Sequence, residues 1–402
     1  MEGLLRYLGD SKAENFILKG GEISSEVFGL TPRAGLVFSP RKKMKYSRIK
    51  EEFSSFIEKA GYVIIDLQEG ERFLSFKVSR GEKISTVEIN DDCLTPRENP
   101  SKWGVLKVAN LETLLAERIE GLYSGRAATN ADLADVCLLI KAKLDGETLN
   151  AAFVNTFVRR GTLLDKTALY TFAEAIPEAF GKNFDEYAKA NNLDLDIERA
   201  KTDFKTAASK YLPVDLPLPK SKIKLTLVRH GKDDPVYVGG WSESPLTKEG
   251  RKQIEATRER LSGGYDVFIA SDLTRTRQTA EIINERFQMP VVYSQGFRET
   301  NNGIFANMLA ADFQRHPQKV YFADLKYFDA YPFGESPKTF FERAYKSFVE
   351  LLETYNGKSV ILVTHGGIMT VIECILNAYP YNSKVKIAPE NGEICEYDLE
   401  IK

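Results

Sequence analysis

The second half of this 402-residue chain is predicted to form an α/β domain, in which helices cover both faces of a mostly parallel sheet. Short apolar runs at 223–228, 267–270 and 360–363 have the length and composition of buried strands. Charged segments of helical pattern, at 248–261 and 273–287, follow the first two runs. Alternation of this kind is typical of parallel strands joined by crossover helices.

A proline-rich segment is expected to divide the chain. Residues 212–221 read Leu-Pro-Val-Asp-Leu-Pro-Leu-Pro-Lys-Ser, and so many prolines can neither continue a helix nor occupy a central strand. The sequence therefore predicts a domain at 1–212, a linker at 213–222 and a second domain at 223–402. A length of 402 residues agrees with two or three domains at about 150 residues per domain.

The first domain is predicted to be α+β with a helical subdomain. Strand-like runs at 35–38, 62–65 and 73–78 place the strands within about residues 1–100. Residues from about 108 to 212 have mostly helical patterns.

Composition argues against several partners. The chain has 55 basic and 57 acidic residues, and its formal charge of −2 provides no general attraction to nucleic acid or to anionic lipid. No run approaches the ~20 apolar residues that cross a bilayer, and the start lacks a signal-type apolar core. We expect a cytoplasmic protein whose four widely spaced cysteines are reduced.

Two of the three histidines directly follow predicted strands, within Arg229-His230-Gly231 and Thr364-His365-Gly366-Gly367. Arg275 follows a third strand. Ligands of open α/β sheets bind beyond the carboxyl ends of the strands, so these side chains are expected to share a pocket. Guanidinium groups match the charged oxygens of a phosphoryl group. The pattern therefore predicts a phosphate pocket.

A histidine nucleophile would suit such a pocket. Attack on phosphorus needs an unprotonated imidazole, with cationic groups around the phosphoryl oxygens, and His230 beside Arg229 fits. Gly231 and Gly366 are expected to let the backbone approach the anion. Glu299, on a loop after another strand-like stretch, is the candidate proton donor. A substrate dianion and partial burial would favour its protonated form.

Other interpretations remain open at this point. His230 and His365 are alternatively structural residues, or ligands of a metal together with Glu299. His316 lies in no motif and is expected on a surface loop. The many aromatic residues between 305 and 333 either line the leaving-group side of the pocket or belong to the core.

The order of motifs after residue 222 resembles the histidine phosphatase superfamily, which includes cofactor-dependent phosphoglycerate mutases and many small phosphomonoesterases. The matching motifs are Arg229-His230-Gly231, Ser244-Pro245-Leu246-Thr247-Lys248-Glu249-Gly250 with Gln253, Ser271-x-Leu273-x-Arg275 with Thr279-Ala280, the Glu299 loop, Gly334-Glu335-Ser336 and Thr364-His365-Gly366-Gly367. The resemblance implies a three-layer α/β/α fold without metal or cofactor. It also implies that His230 is transiently phosphorylated, that Arg229, Arg275 and His365 hold the phosphoryl group, and that Glu299 donates the proton.

Within this family, hydrolysis is the favoured activity. Mutases usually continue Arg-His-Gly with Glu-Ser and a Trp-Asn pair, whereas this chain reads Lys232-Asp233-Asp234-Pro235. The stretch between Glu299 and His365 is also short for a mutase. We therefore expect a phosphomonoesterase with a phosphorylated small-molecule substrate, and a phosphoglycerate mutase-like phosphotransferase is the alternative.

The first half resembles the abortive-infection nucleotidyltransferases, which have a polymerase-beta-like fold. The resemblance rests on Phe16–Gly21 and Phe28–Arg33, followed by segments 110–119, 130–135 and 157–162. Two metal-binding aspartates of that family are absent from 33–39, and Glu88 alone could match the third carboxylate. This predicts a catalytically silent domain that positions a substrate for the phosphatase or binds a nucleotide or protein partner. A spacer, or a regulatory protein of toxin–antitoxin type, is the alternative.

Overall fold

The computed structural model describes residues 2–9, 15–21, 24–30, 35–41, 44–70, 73–90, 96–101, 104–125, 129–165, 168–169, 171–174, 176, 183–209 and 216–402. The chain forms two compact units, Met1–Tyr211 and Leu212–Lys402. Residues 33 and 34 of the segment that lacks the two aspartates, and residues 213–215 of the predicted linker, lie outside the described residues.

The N-terminal unit contains a mixed sheet. Its described strands are β1 (Phe16–Gly21), β2 (Leu36–Pro40), β3 (Val63–Glu69), β4 (Phe73–Arg80), β5 (Lys83–Asn90), β6 (Pro96–Ser101) and β7 (Gly104–Ala109). Their order is β3-β4-β5-β2-β1-β7-β6. β1 is antiparallel to β2 and parallel to β7, and β2 is parallel to β5. The sheet thus extends to residue 109, beyond the predicted boundary near 100, because β7 pairs with β1.

Helices cover the sheet and form most of the remainder of this unit. The described ones are α1 (Glu2–Gly9), α2 (Ser24–Phe28), α3 (Tyr46–Lys59), α4 (Leu111–Ser124), α5 (Asn130–Leu139), α6 (Gly146–Arg160), α7 (Phe184–Ala190) and α8 (Ile197–Ser209). α3 packs Phe53 and Phe56 against Phe16 of β1 and Phe38 of β2. The side chain of Asn110 accepts from the Thr113 amide and so begins α4 with an N-cap.

The C-terminal unit has the predicted parallel sheet. Its strands are β8 (Ser221–Arg229), β9 (Val267–Ser271), β10 (Val291–Ser294), β11 (Ser359–Thr364) and β12 (Ile394–Ile401), in the order β10-β9-β11-β8-β12. The first four are mutually parallel, and β12 adds to the edge in the antiparallel direction. All three apolar runs of the sequence lie in this sheet.

Helices lie on both faces of that sheet. They are α9 (Lys248–Arg260), α10 (Thr274–Phe287), α11 (Ala310–Arg315), α12 (Pro337–Thr354) and α13 (Gly366–Leu376), with short 3-10 turns at Gln295–Phe297, Gly303–Phe305 and Phe322–Asp324. α9 and α10 pack Ile254 and Ile283 against a face that contains Phe268 and Val363. The alternate residue Leu362 points to the other face and is also buried. α12 and α13 contact β8 and each other.

These layers agree with the predicted α/β fold class. None of the helices within the described parts of the chain is both long and apolar enough to span a membrane.

Candidate active site

The carboxyl ends of β8, β9 and β11 lie level with one another. Thr364 pairs with Arg229 in the parallel register of β11 and β8, and Val363 pairs with Ala270 of β9. Residues that follow the three strands therefore meet at one edge of the sheet, as the sequence predicts. The rings of His230 and His365 are 5.2 Å apart between centroids.

His230 is held as a neutral ring in one tautomer. Its Nδ1 donates to the carbonyl oxygen of Gly231 over 2.8 Å, which places the ring proton on Nδ1. The Nε–H of Arg275 points at Nε2 over 3.3 Å, so Nε2 carries the lone pair. Burial, and next the charges of Arg275 and Arg229, hold the pKa of His230 well below its usual value. The imidazole is therefore unprotonated, as a nucleophile requires.

His365 forms the second wall of the pocket and is completely buried. Its Nε2 lies 2.8 Å from the Ser271 hydroxyl. Burial, and next the charge of Arg275, lower its pKa well below the usual value. Nδ1 has no hydrogen-bond partner among the described residues. A buried nitrogen in this condition costs ~1–3 kcal/mol, which a bound acceptor would recover.

Arg275 lies at the start of α10 and is 2% exposed. Its two Nη atoms donate to the carbonyl oxygens of Ser242 and Gly240 over 2.9 and 2.8 Å. Its Nε lies 3.6 Å from Oδ2 of Asp233. These contacts fix the plane of the guanidinium group, with its Nε edge toward His230. Burial lowers the pKa of Arg275, yet a guanidinium group stays charged in proteins.

Arg229 supplies a second guanidinium group at the end of β8. One Nη donates to the carbonyl oxygen of Pro389 over 2.6 Å, while the buried Nε has no partner within the described part of the chain. A β-carbon on Gly366 would lie 3.1 Å from its Cζ. Glycine at this first residue of α13 thus lets the guanidinium group lie against the helix start. Arg229 and the helix N-terminus both favour an anion.

Glu299 lies on the loop after β10 and the turn that follows it. Its carboxylate oxygens accept the backbone N–H groups of Thr300 over 3.0 Å and Gly367 over 3.1 Å. A β-carbon on Gly367 would lie only 2.1 Å from Oε1. Gly367 therefore makes room for the carboxylate at the start of α13, which follows directly after His365.

A second group of side chains holds the backbone of this loop. Trp241 Nε1 donates to the carbonyl oxygen of Glu299 over 2.7 Å, and Arg343 donates to the same oxygen over 3.1 Å. Arg343 also donates to the carbonyl oxygen of Arg298 over 3.0 Å and forms an ion pair with Glu335 at 2.7 Å. The loop that carries Glu299 is thus tied to α12 at several carbonyl groups.

Gly231 lies in close contact with α9 and α10. Its N–H donates to the Thr279 hydroxyl over 3.2 Å. An added β-carbon would lie 2.7 Å from the carbonyl oxygen of Gly250 and from Ile254. The glycine therefore lets the segment that follows β8 pack closely against α9.

Sequence reasoning gave no role to Asp233, Trp241 or Arg343, which contact the candidate residues Arg275 and Glu299. Only the Gly334-Glu335-Ser336 motif pointed to part of this network, through the partner of Arg343. The position of Asp233 depends on a loop conformation that residue types alone do not reveal.

Several other residues have structural roles. His316 is partly buried and packs edge-on against Phe305. Phe305, Phe313 and Tyr331 form a buried cluster, whereas Phe328 and Phe333 are exposed. The aromatic stretch is therefore divided between core and surface.

The geometry of the pocket favours an anion. No cluster of three or more His, Cys, Asp or Glu side chains arranged to hold a metal ion occurs among the described residues. Moreover, Nε2 of His230 faces the Arg275 guanidinium group and Nε2 of His365 faces a hydroxyl. A cation bound by both rings would meet a fixed positive charge.

In the N-terminal unit, Glu88 lies on β5 in register with Val37 of β2. The Ser75 hydroxyl donates to its carboxylate over 3.4 Å. Leu36 and Phe38, beside Val37, are buried. The described part of β2 therefore offers Glu88 no second carboxylate.

Comparison with known proteins identifies the family. The family model of the histidine phosphatase superfamily (branch 1) matches residues 225–401. The uncharacterized phosphatase PhoE of Bacillus subtilis is 30% identical over 145 residues, which cover 35% of this chain and 70% of that protein. The chain belongs to the histidine phosphatase superfamily. "Probable phosphoglycerate mutase GpmB" of Salmonella arizonae is 26% identical to the histidine phosphatase unit over 184 residues, covering 44% of this chain and 86% of that protein.

Solved structures match the same unit. A mycobacterial glucosyl-3-phosphoglycerate phosphatase complexed with VO3 is 24% identical, with a TM-score of 0.39, and the match covers 43% of this chain and 91% of that one. The α-ribazole phosphatase of Shigella flexneri is also 24% identical, with a TM-score of 0.39 and coverage of 43% and 89%.

The N-terminal half matches a second family. The family model "Nucleotidyl transferase AbiEii toxin, Type IV TA system" matches residues 48–222. Both resemblances drawn from the sequence are thereby confirmed. This match begins at residue 48, so it does not include Gly20 and Gly21 at the end of β1.

Proposed function

We propose that the histidine phosphatase unit is a metal-independent phosphomonoesterase that works through a phosphohistidine at His230. The observation that carries this proposal is the fixed tautomer of His230, with Nδ1 bonded to Gly231 and the Nε2 lone pair directed at Arg275. A neutral imidazole beside buried guanidinium groups suits attack on a phosphoryl group.

In the first half-reaction, Nε2 of His230 forms a bond to phosphorus while the bond between phosphorus and the ester oxygen breaks. The leaving oxygen keeps the electron pair and takes a proton from the Glu299 carboxyl group. Arg275 and Arg229 stabilise the charge on the phosphoryl oxygens. If Ser271 donates to Nε2 of His365, then Nδ1 carries a proton and donates to the same oxygens.

In the second half-reaction, a water molecule attacks phosphorus and the N–P bond breaks. The Glu299 carboxylate, now ionised, accepts the proton of that water. The electron pair returns to Nε2, and inorganic phosphate leaves. Glu299 thus both donates and accepts the proton, and it ends the cycle protonated, as it began.

Hydrolysis of a generic aryl phosphate by the full chain, with a chelator present, tests this proposal. Replacement of the nucleophile in His230→Asn should lower kcat/KM by about four orders of magnitude or more. His316→Asn, far from any motif, is the matched control and should retain activity. Retention of most activity by His230→Asn would refute the proposal.

Phosphatase and mutase activities can be separated with a phosphoglycerate. The Lys232-Asp233-Asp234-Pro235 sequence departs from the mutase pattern and supports hydrolysis. We expect 3-phosphoglycerate, if accepted, to release inorganic phosphate without formation of 2-phosphoglycerate. Interconversion faster than phosphate release would favour the mutase.

We further propose that the N-terminal unit is a catalytically silent nucleotidyltransferase fold that binds a nucleotide or protein. The described part of β2 places no second carboxylate beside Glu88, and this supports the loss of two-metal chemistry. Nucleoside triphosphates titrated calorimetrically into the full-length His230→Asn, Arg275→Ala protein test the nucleotide version, since the phosphatase pocket is then disabled. Absence of heat with every triphosphate would contradict the proposal that this unit binds a nucleotide.

A further inference from the structure

The pocket proposed to hold the phosphoryl group contains a second carboxylate, that of Asp233. This carboxylate takes no part in the proposed reaction. Oδ2 of Asp233 is 3.6 Å from Nε of Arg275, and the same Nε is 3.3 Å from Nε2 of His230. One N–H of Arg275 therefore lies next to both the nucleophile and the Asp233 carboxylate.

The position of Asp233 is set by the backbone. Asp233 forms an isolated β-bridge with Leu246. On either side, the amide of Asp234 donates to Pro245 over 2.9 Å and the amide of Thr247 donates to Lys232 over 3.0 Å. The carboxylate is half-buried, and these bonds fix the backbone from which its side chain extends.

The groups that face Asp233 have opposing charges. Arg275 on α10 and Arg229 on β8 favour its ionised form, whereas Glu299 on the proton-donor loop disfavours it. Burial is the largest influence and raises the pKa of Asp233 above its usual value. Among the influences that favour the ionised form, the charge of Arg275, which the substrate also needs, is the largest, followed by a backbone hydrogen bond and then by the charge of Arg229.

A bound phosphoryl group would change this balance. Its oxygens would take the Nε–H of Arg275 and place negative charge beside the Asp233 carboxylate. Two like charges in one small site cannot both remain ionised without a large penalty, so one of them takes a proton. A protonated carboxyl group can also donate a hydrogen bond to a phosphoryl oxygen.

We propose that Asp233 is a proton-binding residue of the phosphoryl pocket, which takes up one proton from solvent when a tetrahedral dianion binds. The proton returns to solvent when the anion leaves, so the overall reaction is unchanged. The inference rests on the proposed function, because it assumes that the anion occupies the pocket beside Arg275. It makes the affinity for a dianion fall as the pH rises through the range where free Asp233 ionises.

Calorimetric titration of the full chain with sulfate tests this inference without turnover. Sulfate remains a dianion from mildly acidic to alkaline pH, so its own titration does not interfere. Measurements in two buffers of different ionisation enthalpy give the number of protons taken up. Glu299, His230 and His365 also face the anion and are retained in every variant, so the comparison measures how the Asp233 side chain changes the total proton uptake of the pocket.

Just above the pH range in which free Asp233 ionises, Asp233→Asn and Asp233→Ser should each take up about one proton fewer per sulfate bound than the unaltered protein. They should also bind sulfate about tenfold more tightly there, since a like charge has been removed. Asp234→Asn is the matched control, because this neighbouring side chain accepts from the Val236 amide instead of facing Arg275. Its proton uptake should equal that of the unaltered protein.

An unchanged proton count in both Asp233 variants would overturn the inference and leave the proposed function intact. Weaker sulfate binding at every pH would also overturn it, because Asp233 would then only orient Arg275. If even the unaltered chain fails to bind sulfate, both the inference and the proposed pocket are wrong.

Discussion

Arg275 points its Nε–H at Nε2 of His230 over 3.3 Å, while both of its Nη atoms are bound to backbone carbonyl oxygens. The guanidinium group is therefore fixed before any substrate arrives, with one edge against the nitrogen proposed to attack phosphorus. The plane of the guanidinium group is thus preorganised, and of its contacts only the Nε–H bond to His230 has to pass to a phosphoryl oxygen. This preorganisation also makes the pocket sensitive to small changes in the two residues.

Arg275→Lys should lower kcat/KM by about 10²–10³, because an ammonium group cannot keep both carbonyl contacts and still face the phosphoryl oxygens. Aryl phosphate hydrolysis measures the loss. Arg277→Lys is the control on the same helix, since Arg277 donates to the Asp272 carbonyl and stacks on Tyr293. Equal losses in the two variants would contradict a specific role for Arg275.

Gly367→Ala should displace the Glu299 carboxylate, since the new β-carbon would lie 2.1 Å from Oε1. Alkyl phosphates have poor leaving groups that need a proton, whereas nitrophenyl phosphate does not. We expect kcat for an alkyl phosphate to fall about 10²-fold and that for nitrophenyl phosphate to fall much less. Gly239→Ala, where a β-carbon meets nothing within 4 Å, should leave the ratio unchanged. An equal fall for both substrates in Gly367→Ala would argue against Glu299 as the proton donor.

Arg343→Lys should loosen the proton-donor loop, because Arg343 donates to the carbonyl oxygens of Glu299, Arg298 and Gly296. Arg343 is a positioning residue, so kcat for alkyl phosphates should fall about tenfold with little change in KM. Steady-state kinetics on alkyl and aryl phosphates provide the test. Lys346→Arg on the exposed side of the same helix is the control. A rise in KM alone would indicate that Arg343 affects substrate binding instead.

The stability of the protein should fall on mild acidification because His230 and His365 are buried as neutral rings. Their folded pKa values lie well below the unfolded value near 6.5. Below about pH 6.5 the unfolded chain therefore binds protons that the folded chain does not. The free energy of unfolding should decrease by up to about 1.4 kcal/mol per pH unit for each histidine.

Urea unfolding between about pH 7.5 and about pH 5.5 measures this dependence. His365→Asn should have a shallower pH slope than the unaltered chain, whatever its stability at neutral pH. Identical slopes would mean that His365 is already protonated in the folded state, or remains accessible to protons.

The sequence alone predicts that His230, His365 and Arg275 lie close together at one edge of the sheet. Their strands are short, apolar and parallel, and such strands end on one side of a sheet. Asp233, Trp241 and Arg343 could not be placed in the same way. They lie on loops and on one face of a helix. The positions of such side chains depend on tertiary packing, which a local sequence pattern does not reveal. The packing role of Gly231 against Gly250 likewise depends on how closely β8 approaches α9.

Trapping of the phosphoenzyme tests the central claim most directly. The full chain is mixed with a phosphate-labelled aryl ester, quenched in alkali during steady-state turnover, and analysed by peptide mass spectrometry. We predict a phosphoryl group on His230 in the unaltered chain, and more of it in Glu299→Gln, which cannot activate water. Rapid hydrolysis with no label on His230, or undiminished turnover by His230→Asn, would contradict the account.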